Sequence, residues 1–307
     1  MAAPFRVRLP ATSANLGAAF DTAAVALQLH LCVEAEPGRE FSIAAIGRDA
    51  GLCSKIEDNL ILKTYRDLLQ REGRPQIPLE LRMENQIPLG MGCGSSAAGR
   101  LAAIALANHF GDLGWRGQRI LAEACALEGH PDNAAACWLG GMVLAACEGS
   151  TVHVARVVPP LHWRAILVLP KRPLATSEAR SVLPAHYSRA DAIANIQAAS
   201  LLGLAFSQAR GDLLRPAMAD RIHQPYRADL CPLLPLLLPL AGKHGILGVA
   251  LSGAGPSVLL IVPENGANSA CRAIEEVLSN AVSAGEVAHL DAEIITLEFE
   301  RGGRQNS

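Results

Sequence analysis

Hydrophobic and polar positions alternate with period two at several places along the chain, and between them the period lengthens to that of a helix. Val25, Leu27, Leu29, Leu31 and Val33 recur at every second residue, which predicts a strand over Thr22–Glu36. Leu79, Leu81 and Met83 repeat the pattern. Leu60, Ile61, Tyr65, Leu68 and Leu69 instead share one helical face, so Asp58–Glu72 is expected to be a helix. Ser95–Phe110 reads as a buried, alanine-rich helix with Ser95 or Ser96 near its N-cap, and Gln118–Glu128 as another. Further strands are expected at Phe5–Leu9, Trp163–Leu169, Gly245–Leu251, Ser257–Val262 and Glu293–Phe299. Further helices are expected at Asp191–Gln208, Asp212–Ile222 and Asn268–Ser283. Ala11–Asp21 and Gly129–Asn133 read as polar loops, and Gly302–Ser307 as a disordered tail.

Strands and helices mix without strict alternation, which predicts an α+β fold rather than a doubly wound sheet. A chain of 307 residues suits two domains. The character changes around Pro159 and Pro160, so the expected division is 1–158 and 159–307.

Half of the residues are apolar, enough for a core of ordinary size. The net charge of −2 comes with no basic block, which argues against a nucleic-acid partner. The most apolar run, Leu230–Gly242, is broken by Pro232, Pro235 and Pro239 and is too short for the roughly 20 residues that a membrane helix needs. Met1–Leu9 carries two arginines and no long apolar stretch, so no secretory leader is expected. None of the eight cysteines forms a CxxC pair, which points to buried, reduced thiols in a cytoplasmic protein rather than a zinc site or disulfide scaffold.

The segment Pro88–Gly99, PLGMGCGSSAAG, carries candidate chemistry. Gly90, Gly92 and Gly94 lie between a predicted strand and a predicted helix, and Ser95 and Ser96 open that helix. Glycines let backbone N–H groups approach a ligand, and a helix start adds unpaired N–H groups and the positive end of its dipole. The combination predicts a phosphate cradle. It is neither a P-loop, since no lysine follows the last glycine, nor a dinucleotide fingerprint, since the GxGxxG spacing fails.

Three more polar loops stand out: Pro10–Asp21 (PATSANLGAAFD), Glu128–Asn133 (EGHPDN) and Leu251–Ser257 (LSGAGPS). Each alone reads as an ordinary turn. In this order, with the glycine loop, they resemble the GHMP kinase superfamily. PATSANLG and EGHPDN, together with SEARSVLP (Ser177–Pro184) and RIHQPYR (Arg221–Arg227), narrow the resemblance to its homoserine kinase branch. Two departures stand out. Ala18 and Ala19 occupy positions where the branch usually has Pro and Gly, and Ala126 stands where close relatives often carry a second glutamate.

The resemblance implies an N-terminal domain like ribosomal protein S5 domain 2, a ferredoxin-like C-terminal domain, and a site between them. It implies ATP-dependent phosphorylation of L-homoserine to O-phospho-L-homoserine in threonine biosynthesis, with Mg²⁺, and homodimers are common among such relatives. ATP would lie on Pro88, Leu89, Gly90, Met91, Gly92, Cys93, Gly94, Ser95, Ser96 and Ala97, with Gly253 and Gly255 closing over the phosphates from the second domain. Ser96 and Glu128, with Glu123 as the alternative carboxylate, would hold the metal. Asn15 and Asp21 would meet the substrate's amino group and reactive hydroxyl, Arg180 and Arg227 its carboxylate, and His130 would line the same pocket. Many superfamily members place an aspartate base where this chain has Asn133. An amide cannot take the proton, so transfer without a protein base is expected, Asp132 being the one carboxylate next door.

Overall fold

The computed structural model describes residues 3–284, 291–302 and 305–306. It opens with β1 (Phe5–Ala14), β2 (Ala23–Pro37) and β3 (Ser42–Gly47), then α1 (Ala50–Cys53), α2 (Leu60–Arg71) and β4 (Leu79–Asn85). Next come α3 (Ser95–Phe110), α4 (Gly117–Glu128), α5 (Asp132–Leu139), β5 (Met142–Glu148) and β6 (Thr151–Val157). The remainder holds β7 (Trp163–Pro170), α6 (Thr176–Ser181), α7 (Arg189–Ser207), α8 (Leu214–Ala217), α9 (Gln224–Arg227) and α10 (Leu233–Leu237). It closes with β8 (Gly248–Leu251), β9 (Val258–Pro263), α11 (Ala267–Ser283), β10 (Ala292–Leu297) and β11 (Gln305–Asn306).

Two sheets organise these elements. The first runs β11-β1-β2-β4-β3, with β5 on the other end of β2 and β6 beyond it. Leu79, Leu81, Met83 and Asn85 point inward along β4 while the residues between them face out, as the alternation predicts. Pro10 has no N–H to give to the β1–β2 ladder, and the register slips between Pro10 and Ala11. In α2 the Asn59 side chain caps the helix by accepting from Ile61 N at 3.0 Å and Leu62 N at 3.3 Å. Helix α3 is buried over most of its length, its alanines allowing close approach to β1 and α2.

The second sheet has the order β10-β7-β9-β8, all antiparallel. Helices α10 and α11 form a core with Ile166, Val168, Val249, Leu251, Leu260 and Val262 on one face. The opposite face, through Ala165, Leu167 and Ile261, joins the core of the first sheet with Leu202 and Phe206 of α7. Strands in the order fourth, first, third, second with helices in both crossovers make this the ferredoxin-like arrangement, and the α+β expectation holds. Burial on both faces explains why Trp163–Leu169 shows no alternation.

Several expectations need correction. β1 continues through Ala14, so only the second half of the predicted Ala11–Asp21 loop is a turn. The polar run Gly129–Asn133 ends inside a helix, because Asp132 and Asn133 are the first residues of α5. Asp212–Ile222 is not one helix. A short 3₁₀ turn and α8 end at Ala217, just after Pro216, and Asp220 caps a separate turn by accepting from Ile222, His223 and Gln224 N. The chain also returns to the first sheet at its end. Glu300 N donates to Ala26 O, Phe299 is fully buried, and Gln305–Asn306 pair with Arg8 and Val7, which replaces the expected disorder at those two positions. Among the described residues no helix is long and apolar enough to cross a membrane.

Candidate active site

The four polar loops meet where the two sheets adjoin. They bound a cleft of about 290 Å³ whose lining includes Asn15, Asp21, Gly90, Gly92, Gly94, Ser95, Ser96, Glu128, His130, Asn133, Arg180, Arg227 and Gly253.

The glycine loop has the backbone that only glycine adopts freely: φ is +68° at Gly90, +70° at Gly92 and +71° at Gly94. Space is as restrictive as angle. A Cβ on Gly92 would meet the Ser252 carbonyl at 2.1 Å, and one on Gly94 would meet Thr12 Oγ1 at 1.9 Å. Helix α3 starts directly after Gly94, which is its N-cap with no side-chain cap, so Ser95 and Ser96 are its first two residues, beside the cap as expected. The N–H groups of Ser95, Ser96 and Ala97 therefore have no partner in the helix, and Ser95 and Ser96 line the cleft, where a helix start suits an anion. Cys93 is buried beneath the loop, and burial pushes its thiol up to about 12.

Not every residue of the loop faces the cleft. Leu89 borders an adjoining pocket of about 500 Å³ that shares Gly90, Ser95, Ser96, Leu174 and Thr176 with it and is lined further by Leu31, Asn59, Leu60, Ile61, Met83 and Ile87. Pro88 and Met91 border a third depression, and Ala97 is buried under the helix. From the LSGAGPS segment, Gly253 reaches the cleft. Gly255 lies behind it, buried, with its carbonyl 2.8 Å from where a Gly92 Cβ would be. This segment is already seated rather than poised to approach. Gly253 N donates to Ala14 O at 3.1 Å, and Ser252 Oγ bridges Ser13 Oγ at 2.9 Å and Gly92 O at 2.8 Å.

The two candidate metal carboxylates are separated by the fold. Glu128 Oε1 accepts from Ser96 Oγ at 2.8 Å and pairs with Arg100 at 3.1 Å. Glu123 lies outside the cleft lining, and its carboxylate pairs with Arg71 at 2.8 Å and Arg119 at 3.7 Å. Both face away from one another because five residues along α4 do not return to the same helical face.

The N-terminal turn is held in left-handed backbone at Asn15, Leu16 and Asp21. The Asn15 amide maintains it, accepting from Asp21 N at 2.9 Å and donating to Gly253 O at 2.8 Å. One N–H and one lone pair of that amide remain for a ligand. The Asp21 carboxylate receives both Arg180 nitrogens, and their hydrogen bonds raise the proton affinity of the guanidinium. His130 Nδ1 donates to Asp132 Oδ1 at 2.6 Å; burial opposes the charge of the ring, but that bond together with the Asp132 and Asp21 charges outweighs burial and its proton affinity is raised. Asp132 Oδ1 also accepts from Asn133 N, while Asn133 Oδ1 accepts from Thr12 Oγ1 at 2.6 Å.

Arg227 is 1 % exposed and has no carboxylate within ion-pair distance among the described residues. Burial, and then the nearby Arg180, lower its proton affinity. Its Nε donates to Ala179 O at 2.9 Å and Nη1 to His223 Nδ1 at 3.0 Å and Gly253 O at 3.5 Å, and the residue lines the cleft. Phe20 lies 5.5 Å from the Arg180 guanidinium and 5.4 Å from that of Arg227. Phe20, Arg100, Leu174 and Thr176 also line the cleft, and motif reading did not single them out. The signal for Arg100 was its place one turn after Ser96 on a helix that was expected.

Comparison with known proteins agrees with this geometry. The GHMP kinases N terminal domain matches residues 59–141 and the GHMP kinases C terminal domain residues 204–280. A homoserine kinase of Solibacter usitatus is 42% identical over 286 residues, covering 93% of each chain. One from Deinococcus radiodurans is 37% identical over 268 residues, covering 87% of each. The crystal structure of homoserine kinase from Cytophaga hutchinsonii shares the fold, with a TM-score of 0.81 at 23% identity, over 99% of this chain and 97% of that one. Glycine loop, paired sheets and sequence likeness along almost the whole length agree: the chain belongs to the homoserine kinase family of the GHMP kinases.

Proposed function

We propose that this protein transfers the terminal phosphoryl group of ATP to the side-chain hydroxyl of L-homoserine, giving O-phospho-L-homoserine for threonine biosynthesis in the cytoplasm. The observation that carries the substrate is Arg227, a buried guanidinium that lines the cleft and has no carboxylate of its own among the described residues. A buried charge without a partner is costly, and a ligand carboxylate relieves that cost. Beside it, Asp21 and Arg180 offer one charge of each sign to an amino acid's ammonium and carboxylate.

In this reading residues 1–158 hold the nucleotide and 159–307 complete the substrate site. The phosphates of ATP lie on Gly90–Ala97 and against Gly253, and the base enters the apolar pocket beyond Leu89 that Asn59–Ile61 help to line. Ser96 and Glu128 are the residues that would hold Mg²⁺; as oxygen donors they suit a hard cation, which when bound offsets phosphate charge. The chain's own part is to place the reactants and to offset charge. Asn133 sits near the reacting end with its amide oxygen occupied by Thr12, so it orients rather than accepts a proton. The hydroxyl proton leaves to phosphate or water as the P–O bond forms.

Magnesium-dependent ADP release by the purified protein, with homoserine, threonine, serine, mevalonate and galactose offered separately, tests the reading. Turnover confined to homoserine is expected. Turnover on another alcohol alone would keep the ATP site and overturn the pocket assignment.

A further inference from the structure

His223 belongs to the Arg221–Arg227 stretch, yet the roles assigned above leave it without one. Its side chain is fully buried, stacked 5.1 Å from Phe20. Nε2 lies 2.8 Å from the Gly17 carbonyl; because that oxygen only accepts, Nε2 carries the proton. Nδ1 is then a bare acceptor, and Arg227 Nη1 donates to it at 3.0 Å. A guanidinium only donates, so both contacts require the same tautomer. Burial lowers the proton affinity of the ring, with Arg227 adding to the effect against the opposing Asp220 and Asp21 carboxylates.

Both ends of this bridge are anchored. Gly17 packs so closely on Met218 that a Cβ would meet the Met218 carbonyl at 2.0 Å. The backbone of His223 is pinned by Asp220, whose Oδ2 accepts from His223 N at 3.0 Å and Gln224 N at 2.6 Å. Gly17 sits in the same turn as Asn15 and Asp21, so the imidazole spans from the turn that carries one substrate-facing charge to the arginine that carries the other. We propose that His223 is a positioning residue: by bridging the Gly17 carbonyl and Arg227 it sets the spacing between Asp21 and the Arg227 guanidinium, and thereby how tightly the amino-acid end of the substrate is held. The proposal rests on the homoserine kinase reading.

The test compares the unaltered enzyme with His223→Gln and His223→Asn, each checked by thermal melting. Glutamine can reach the Gly17 carbonyl but offers no acceptor at the Nδ1 position, whereas asparagine restores that acceptor. His223→Gln is expected to raise KM for homoserine about tenfold, the loss of one hydrogen bond to a charged group, with kcat and the KM for ATP nearly unmoved. His223→Asn keeps that acceptor but cannot reach the Gly17 carbonyl, so it breaks the bridge at its other end and is expected to raise the homoserine KM as well; a homoserine KM left at the unaltered value in His223→Asn overturns the bridge. An unmoved homoserine KM in His223→Gln, or an equal loss in kcat and in both KM values, overturns the proposal. If either variant fails to fold, ¹⁵N NMR of the histidine ring in the unaltered protein decides: the Nε2–H tautomer supports it, and a proton on Nδ1 overturns it. Absence of homoserine turnover by the unaltered enzyme would remove the kinase reading itself, an outcome distinct from these.

Discussion

Asp21 and Arg180 form a two-point ion pair across the junction of the sheets, Nη2 lying 2.7 Å from Oδ1 and Nη1 3.1 Å from Oδ2. An amino acid brings the same two charges in the opposite sense, so a bound substrate exchanges one ion pair for two. Both side chains are about one-third exposed, which limits the worth of the pair in the free protein. Asp21→Asn is therefore expected to lower kcat/KM for homoserine by about ten- to a hundredfold while changing the melting temperature little. Steady-state kinetics beside a thermal melt checks both halves.

Glu128 and Glu123 should separate cleanly. Glu128→Gln removes the carboxylate that meets Ser96, so the Mg²⁺ concentration for half-maximal rate should rise. Glu123→Gln instead loosens the contacts with Arg71 and Arg119. Its melting point should fall while its Mg²⁺ dependence stays that of the unaltered protein. A magnesium titration of both variants distinguishes the two residues.

Gly92→Ala places a methyl group 2.1 Å from the Ser252 carbonyl at a φ of +70°. Backbone has to move in both loops, so a loss of about 2 kcal/mol or more in stability is expected, together with weaker nucleotide binding. Urea unfolding and an ATP titration measure each part.

These positions show what was legible before the fold was known. Val25–Val33, Leu79–Met83 and Ser95–Phe110 were readable because each buries one clear face or is apolar throughout. β3 and β6 escaped because both lie at a sheet margin where no position is fully buried, so neither carries the strongly apolar face that marks a strand. α5 escaped because its first turn consists of Asp132 and Asn133, which read as loop residues until the AAACWL run behind them is folded into the helix. In the site, glycines and charged motif residues carried a local signal. Asn59, Phe20 and His223 reach it only through pairings between distant segments, which no spacing along the chain encodes. Nor could spacing choose between Glu123 and Glu128, since Arg71 and Ser96, which hold them at 2.8 Å, come from other helices.

Asn133→Asp brings a second carboxylate against Asp132, whose Oδ1 is 3.4 Å from Asn133 Nδ2. The repulsion raises the folded-state pKa of the introduced carboxyl above its unfolded value. The folded state then holds extra protons, so stability is retained at low pH and lost as pH rises through the folded pKa. The variant should melt closer to the unaltered protein at pH 5 than at pH 8, as a melting series will show.

Thiol reactivity should follow burial. Cys147 is exposed, whereas burial pushes Cys93 and Cys125 up to about 12 and Cys231 to about 11. Iodoacetamide at pH 8 should label Cys147 first in the native protein and all eight cysteines in urea, which peptide mass mapping reads directly.

The contact between Gly92 and Ser252 also constrains how the molecule can breathe. With Ser252 Oγ on Gly92 O, Gly253 N on Ala14 O and no room for even a methyl group between the strands of backbone, the floor of the cleft is a weld rather than a hinge. A swing of one sheet away from the other would have to tear all of these contacts at once. Traffic into and out of the pocket is therefore left to the opposite rim, where α6 carries Arg180 in a partly exposed ion pair with Asp21.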